Sequence, residues 1–266
     1  MALYHVEFKS SSLLSPVEFR IIVPNDVPDR MKNSLPAYGR PMKTLMLLHG
    51  AGGVSSDWIT GTSITELAAK YNLAVIMPSC RNSFYLNQEN SGERWADYVG
   101  EELINYCRKA FGLSVRKEDT FIGGLSMGGY GALHTGLCYP QNYSKIITLS
   151  GAYLVFDQLA EMKPGTGFNA YNYAYYDQTF GGVPTANERN VKPQILIKEL
   201  LAEGRTIQPV FSACGTEDPG LRQNRELVDF LRENNLDVTY VEGPGVHNWA
   251  FWAAHIEEAI VWALGE

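Results

Sequence analysis

A chain of 266 residues with 45% apolar and 19% charged side chains can bury a large core, which excludes a disordered or fibrous protein and makes one globular domain over 1–266 the default. Its net charge of −7 works against nucleic acid or an anionic membrane surface as partner and leaves a neutral or modestly polar small molecule. The opening MALYHVEFKS lacks the basic and apolar regions of a signal peptide and no run approaches membrane-spanning length, so a cytoplasmic location is expected, with a homo-oligomer left open.

Along the chain, the segments 3–8 and 17–23 alternate like the two strands of an edge hairpin joined by a Ser-rich turn. The prolines between Asn25 and Pro41 mark a loop leading to the first of six short apolar runs, at 44–49, 74–78, 120–123, 145–149, 209–214 and 237–241. Continuous apolar runs of this length are what central parallel strands covered on both faces require. Helical patterns fall between them at about 62–71, 97–111, 127–139, 220–235 and 248–264. The alternation predicts a doubly wound α/β fold: an eight-stranded, mostly parallel sheet with helices on both faces and right-handed crossovers. Residues 152–208 are too long for a simple crossover and predict a small cap-like insertion after the sixth strand. Its run Tyr171, Tyr173, Tyr175, Tyr176 is equally suited to packing the insertion down and to lining a substrate site. Cys80, Cys107, Cys138 and Cys214 show no metal spacing, sit in apolar segments and are expected to be reduced core residues.

The chemistry concentrates in four places. Gly124-Leu125-Ser126-Met127-Gly128 follows an apolar run and precedes small residues at helical spacing, the sequence form of a nucleophile elbow that exposes Ser126 on a tight strand-to-helix turn. A serine hydroxyl needs a base, and the base needs a carboxylate to set its tautomer. Asp218 emerges after the run 209–214, with capping of the helix starting near Pro219 as its plainer role and Glu217 as a rival for the acid. Among five histidines, only His247 lies on a Gly-rich loop after the last strand; His5 is on an edge strand, His49 ends a strand, and His134 and His255 lie within helices. The order Ser126, Asp218, His247 is that of an α/β-hydrolase. An oxyanion hole is then expected from the backbone N–H of Met127 and a second amide in the loop His49-Gly50-Ala51-Gly52-Gly53, with Ala51 first and Gly52 next; His49 is expected to brace that loop.

The stretches LLHGAGG at 47–53, TFIGGLSMGGYGAL at 120–133, ACGTEDP at 213–219 and GVHNWAFW at 245–252 resemble the esterase D group of α/β-hydrolases, in the branch of tributyrin esterases and feruloyl esterases. The resemblance implies Ser126 as nucleophile, His247 as base, Asp218 as acid, and hydrolysis of short-chain carboxylic esters through an acyl-enzyme with no metal or organic cofactor. S-formylglutathione hydrolases are a sister branch, but they carry a His where this chain has Tyr130 and lack the Asn-Trp pair after the base. Feruloyl or acetyl-xylan esterase activity is the alternative, because Trp58, Trp95, Tyr176 and Trp249 are of the type that stacks a phenolic acid or sugar. Against that stands packing: Trp249, Trp252 and Trp262 recur at helical spacing. An acyltransferase would share the same machinery, and a non-catalytic binding protein would have lost part of it.

Overall fold

The computed structural model describes residues 1–168 and 171–266, so all of the predicted insertion except 169–170. Eight strands build the main sheet: β1 (Ala2–Lys9), β2 (Pro16–Val23), β3 (Lys43–Leu48), β4 (Leu73–Pro78), β5 (Thr120–Leu125), β6 (Lys145–Leu149), β7 (Val210–Gly215) and β8 (Val238–Gly243). Each coincides with a predicted segment, its ends shifted by at most two residues. Their spatial order is β1-β2-β4-β3-β5-β6-β7-β8. The pairs β1–β2 and β2–β4 are antiparallel and the remaining neighbours parallel. The chain winds outward from β3 to β4 and then crosses back to β5, so the order reverses between β3 and β5. Loops leaving those two strands diverge there and open a crevice at the carboxyl end of the sheet, where ligands of open α/β sheets bind.

The pleat sends alternate side chains to opposite faces. Leu45, Leu47, Phe121 and Ile147 meet α1 (Ile64–Lys70) and, from the far end of the chain, the helix Trp249–Leu264. Met46, Leu48, Ile122 and Ile146 meet α2 (Leu103–Phe111) and α3 (Met127–Cys138) on the other side. The insertion carries α4 (Val155–Glu161) and α5 (Tyr173–Phe180), and its last helix, α6 (Pro193–Ala202), packs on α3 as an ordinary layer helix. The predicted cap is therefore only the earlier part of 152–208. Tyr130 of α3 donates its hydroxyl to Val191 O at 2.5 Å, tying this segment to the body. α7 (Leu221–Glu233) and α8 (Trp249–Leu264) complete the layers. Among the described residues no helix is long and apolar enough to cross a membrane.

α2 departs from the prediction at its start: the chain turns helical at Trp95, then widens into one π-helical turn at Tyr98–Glu102. That turn aims Glu102 at the hairpin between β1 and β2. Its carboxylate accepts from Ser10 Oγ at 2.6 Å, from Ser11 N at 2.6 Å and from Ser12 N at 3.1 Å. Burial by itself would raise this carboxyl, but the hydrogen bonds from Ser10, Ser11 and Ser12 outweigh it and bring the pKa from 4.5 to about 2.

The junction of β5 and α3 positions the rest. Ser126 adopts φ 54°, ψ −120°, a region costly for a residue with a Cβ. The turn is held by Ser126 N donating to Leu149 O and by Ala152 N and Tyr130 N donating to Ser126 O. It also brings α3 against the end of β3: a Cβ on Gly128 would lie 2.5 Å from Leu48 O and 2.6 Å from His49 O.

Two outcomes follow. A methyl group at residue 128 meets backbone rather than a movable side chain, so Gly128→Ala should lower unfolding free energy by at least the ~1–3 kcal/mol of an overpacked core. Unchanged stability in denaturant titration would contradict the close approach. A carboxyl with a lowered folded pKa stabilises fully above its unfolded pKa and less as pH falls through its folded value. Glu102→Gln should therefore melt below the parent at pH 7, and the gap should narrow as pH drops from 4.5 toward about 2. Equal melting temperatures at pH 7 would show that the clamp contributes nothing.

Candidate active site

Three loops at the carboxyl edge of the sheet bring Ser126, Asp218 and His247 together. Asp218 follows β7 and is buried, 5% exposed. Its Oδ1 accepts from Gly220 N at 2.8 Å and its Oδ2 from His247 Nδ1 at 2.8 Å. With Nδ1–H committed to a carboxylate, the opposite nitrogen is an acceptor. Ser126 Oγ–H donates to it, with Oγ 2.9 Å from His247 Nε2. Burial works against ionisation of Asp218, yet the hydrogen bond from His247, with Gly220 N–H and the Ser150 hydroxyl, holds it below the usual carboxylate range. Trp252 sets its ring edge-to-face with the imidazole, centroids 5.1 Å apart, and donates its indole N–H to Ser150 Oγ at 3.1 Å.

Glu217, the rival acid, is turned outward and does something else. Its Oε2 accepts from Gly245 N at 2.6 Å while its own N–H donates to Gly245 O at 3.0 Å. This reciprocal pair fastens the β7 loop to the loop bearing His247. Gly245 has φ 153° and packs so closely on Phe251 that a Cβ would lie 2.7 Å from its ring. Asn248 then caps α8 by accepting from Phe251 N at 3.2 Å. Neither competing histidine reaches this relay: His134 is interior to α3, where burial pushes its pKa down to about 4, and His255 bonds Phe251 O one turn into α8.

Residues 49–53 form the loop after β3. His49 braces it as expected: Nδ1–H donates to Gly50 O at 2.7 Å and Nε2 accepts from Cys80 N at 2.9 Å. Burial lowers its pKa and keeps it neutral, consistent with that pattern. Among the described residues the N–H groups of Ala51 and Met127 have no hydrogen-bond partner, and both residues border the cavity at Ser126. Gly52, the second choice in sequence, is directed away: its N–H donates to Asn82 Oδ1 at 2.6 Å.

Ser126 stands between two cavities. One, of about 250 Å³, is mostly apolar and walled by Phe84, Leu154, Val155, Phe168, Tyr171 and Tyr176. The other is an open groove bordered by Asp57, Asn248, Trp249 and Trp252. Tyr176 and Trp249 thus stand where substrate contact was expected. Trp58 does not: it is 1% exposed, donates its indole N–H to Leu48 O at 3.0 Å and packs edge-on against Trp249, so neither face is free. Trp95 is 4% exposed, packs on Tyr98 and borders a separate polar depression with Arg81, Gln88 and Tyr175. Phe84, Phe168 and the insertion residues Leu154 and Val155 carried no mark in sequence, since an apolar side chain near a turn reads the same whether it lines a core or a cavity.

Known proteins are similar to this chain over nearly its whole length. Residues 27–263 match the Esterase family model, described as "Putative esterase". An acetyl esterase of Caldicellulosiruptor saccharolyticus is 40% identical over 98% of both chains. Two solved structures from Staphylococcus aureus, each 27% identical, superpose closely: the substrate-bound fluorophosphonate-binding serine hydrolase F, with TM-score 0.85 over 100% of this chain and 99% of that one, and an S-formylglutathione hydrolase, with TM-score 0.82 over 99% and 100%. The chain belongs to the Esterase family, has the α/β-hydrolase fold, and is an ester-hydrolysing serine hydrolase.

Proposed function

We propose that this esterase hydrolyses small esters of short-chain carboxylic acids, as a tributyrin esterase does, through an acyl-enzyme on Ser126. The observation that carries the reading is the unbroken relay from Ser126 Oγ through His247 to buried Asp218, 2.9 Å and 2.8 Å long. Ser126 Oγ attacks the ester carbonyl while its proton passes to His247 Nε2, and Asp218 stabilises the imidazolium. The carbonyl electron pair becomes an oxyanion received by the amides of Ala51 and Met127. The intermediate collapses, the carbon–oxygen bond to the alcohol breaks, and His247 returns the proton to the departing oxygen. Water then attacks the acyl carbon by the same route, regenerating Ser126 and releasing the acid.

The apolar cavity suits the acyl chain and the open groove suits the alcohol. At about 250 Å³ the cavity exceeds the needs of an acetyl group and accommodates butyryl. Its aromatic walls support a second reading, a feruloyl ester whose ring stacks between Tyr171, Tyr176 and Phe168. A glutathione thioester is less well served: among the described residues neither cavity beside Ser126 is bordered by a Lys or Arg that would pair with its carboxylates. The open groove also gives water access to the acyl-enzyme, which favours hydrolysis over acyl transfer.

Rates on acetyl, butyryl, octanoyl and feruloyl esters of one alcohol test this, with Ser126→Ala as blank. The expected order peaks at butyryl, and a feruloyl maximum would select the second reading. Ser126→Ala and Asp218→Asn should each lower kcat by about 10⁴-fold or more, with folding intact. Ordinary turnover in Ser126→Ala would remove the nucleophile assignment, and greater damage from Glu217→Gln than from Asp218→Asn would move the acid to Glu217.

A further inference from the structure

The segment after β4, Cys80 to Tyr85, enters the scheme above only through Phe84 in the cavity wall, yet it is strained. Arg81, Phe84 and Tyr85 have φ of 49°, 50° and 57°, a left-handed region disfavoured for residues with a Cβ. Three of its hydrogen bonds end on the loop 49–52. Cys80 N–H donates to His49 Nε2 at 2.9 Å, Tyr85 O–H donates to His49 O at 2.8 Å, and Gly52 N–H donates to Asn82 Oδ1 at 2.6 Å. Ala51 lies between the anchored residues. On its far side the Asn82 carbonyl accepts the hydroxyl of Tyr175, from the helix α5 whose neighbours Tyr171 and Tyr176 wall the acyl cavity.

We propose that Asn82 is a positioning residue for the oxyanion-binding loop. Its side-chain oxygen fixes the Gly52 peptide at φ 75°, and this holds the preceding Ala51 N–H toward the ester oxygen. Tyr175 holds Asn82 in turn, so the seating of the insertion sets the aim of the donor. Gly52 leaves this arrangement no choice of partner: its N–H is committed to Asn82 and is unavailable to substrate. A donor whose direction is fixed before reaction stabilises the developing oxyanion without reorganisation, whereas one free to turn loses part of that effect. The proposal rests on the assignment of the Ala51 and Met127 amides as oxyanion donors.

The test compares the parent with Asn82→Ala, Asn82→Asp, Tyr175→Phe and Ala51→Pro on 4-nitrophenyl butyrate, and against a trifluoromethyl ketone of matching chain length. Ser126 Oγ adds to the ketone carbon, its proton passes to His247, and the carbonyl pair becomes an oxyanion facing the same amides. Asn82→Ala should lower kcat about tenfold, leave KM within about twofold, and weaken the ketone by the same factor as kcat. Asn82→Asp still accepts from Gly52 N–H and should recover most of the loss. Tyr175→Phe should show a smaller loss of the same kind, and it carries the test if Asn82→Ala does not fold. Parent-like kcat in Asn82→Ala, or a fall in kcat with unchanged ketone affinity, would overturn the proposal. Parent-like kcat in folded Ala51→Pro, which lacks the amide proton, would overturn the oxyanion assignment instead; an inactive Ala51→Pro beside a parent-like Asn82→Ala would remove only the role of Asn82.

Discussion

The left-handed backbone of Ser126 is the constraint on which the rest of the structure depends. A non-glycine residue at φ 54° persists only where its surroundings over-determine it. Here the surroundings are the backbone of β3, β5 and α3, brought so close that glycine at 128 is required. The same contact that strains the turn also sets α3 against the end of β3. It therefore fixes the distance between the Met127 amide, at the start of that helix, and the loop carrying Ala51. Strain and helix placement are consequences of one packing arrangement.

Around that fixed point the other loops are fastened by polar contacts to backbone more than by side-chain bulk. Glu217 and Gly245 pair reciprocally and hold the β7 loop to the His247 loop. His49 uses both ring nitrogens to join the β3 loop to Cys80. Asn82 extends that link to Gly52 and receives the insertion through Tyr175. Each tie satisfies a backbone group that would otherwise be left without a partner near a mostly apolar cavity. In the proposed mechanism, rigid placement of the relay and of the amides lowers the reorganisation required during acyl transfer, which is where preorganised sites gain their rate.

The insertion divides into two kinds of structure. α6 is an ordinary covering helix on α3, whereas the part around Leu154, Val155, Phe168, Tyr171 and Tyr176 closes one side of the apolar cavity beside Ser126. Of the two roles weighed for the tyrosine run, packing is seen in Tyr175, which fastens the segment to the body, while Tyr176 and Tyr171 wall the cavity beside Ser126. The groove on the other side of Ser126 is left open, with Asp57 and Asn248 as its polar members.

Sequence by itself determined the strands, the layer order and the tight strand-to-helix turn at Ser126. Strand periodicity, a small residue on either side of Ser126, and a Gly-rich loop before a helix are local signals, set by pleat and steric exclusion within a few residues. Tertiary structure alone decided what depended on distant neighbours. Trp58 and Trp95 have the composition of substrate-stacking residues but are enclosed by their own packing. Gly52 has the flexibility of an oxyanion donor but spends its N–H on a residue thirty positions away. Glu217 and Asp218 are adjacent in sequence, and only the path of the chain after β7 turns one toward Gly245 and the other toward His247. The π-helical turn that carries Glu102 to the hairpin had no periodic mark either. Hydrogen-bond partners and burial are properties of where remote segments meet, and a linear pattern encodes them only through the fold.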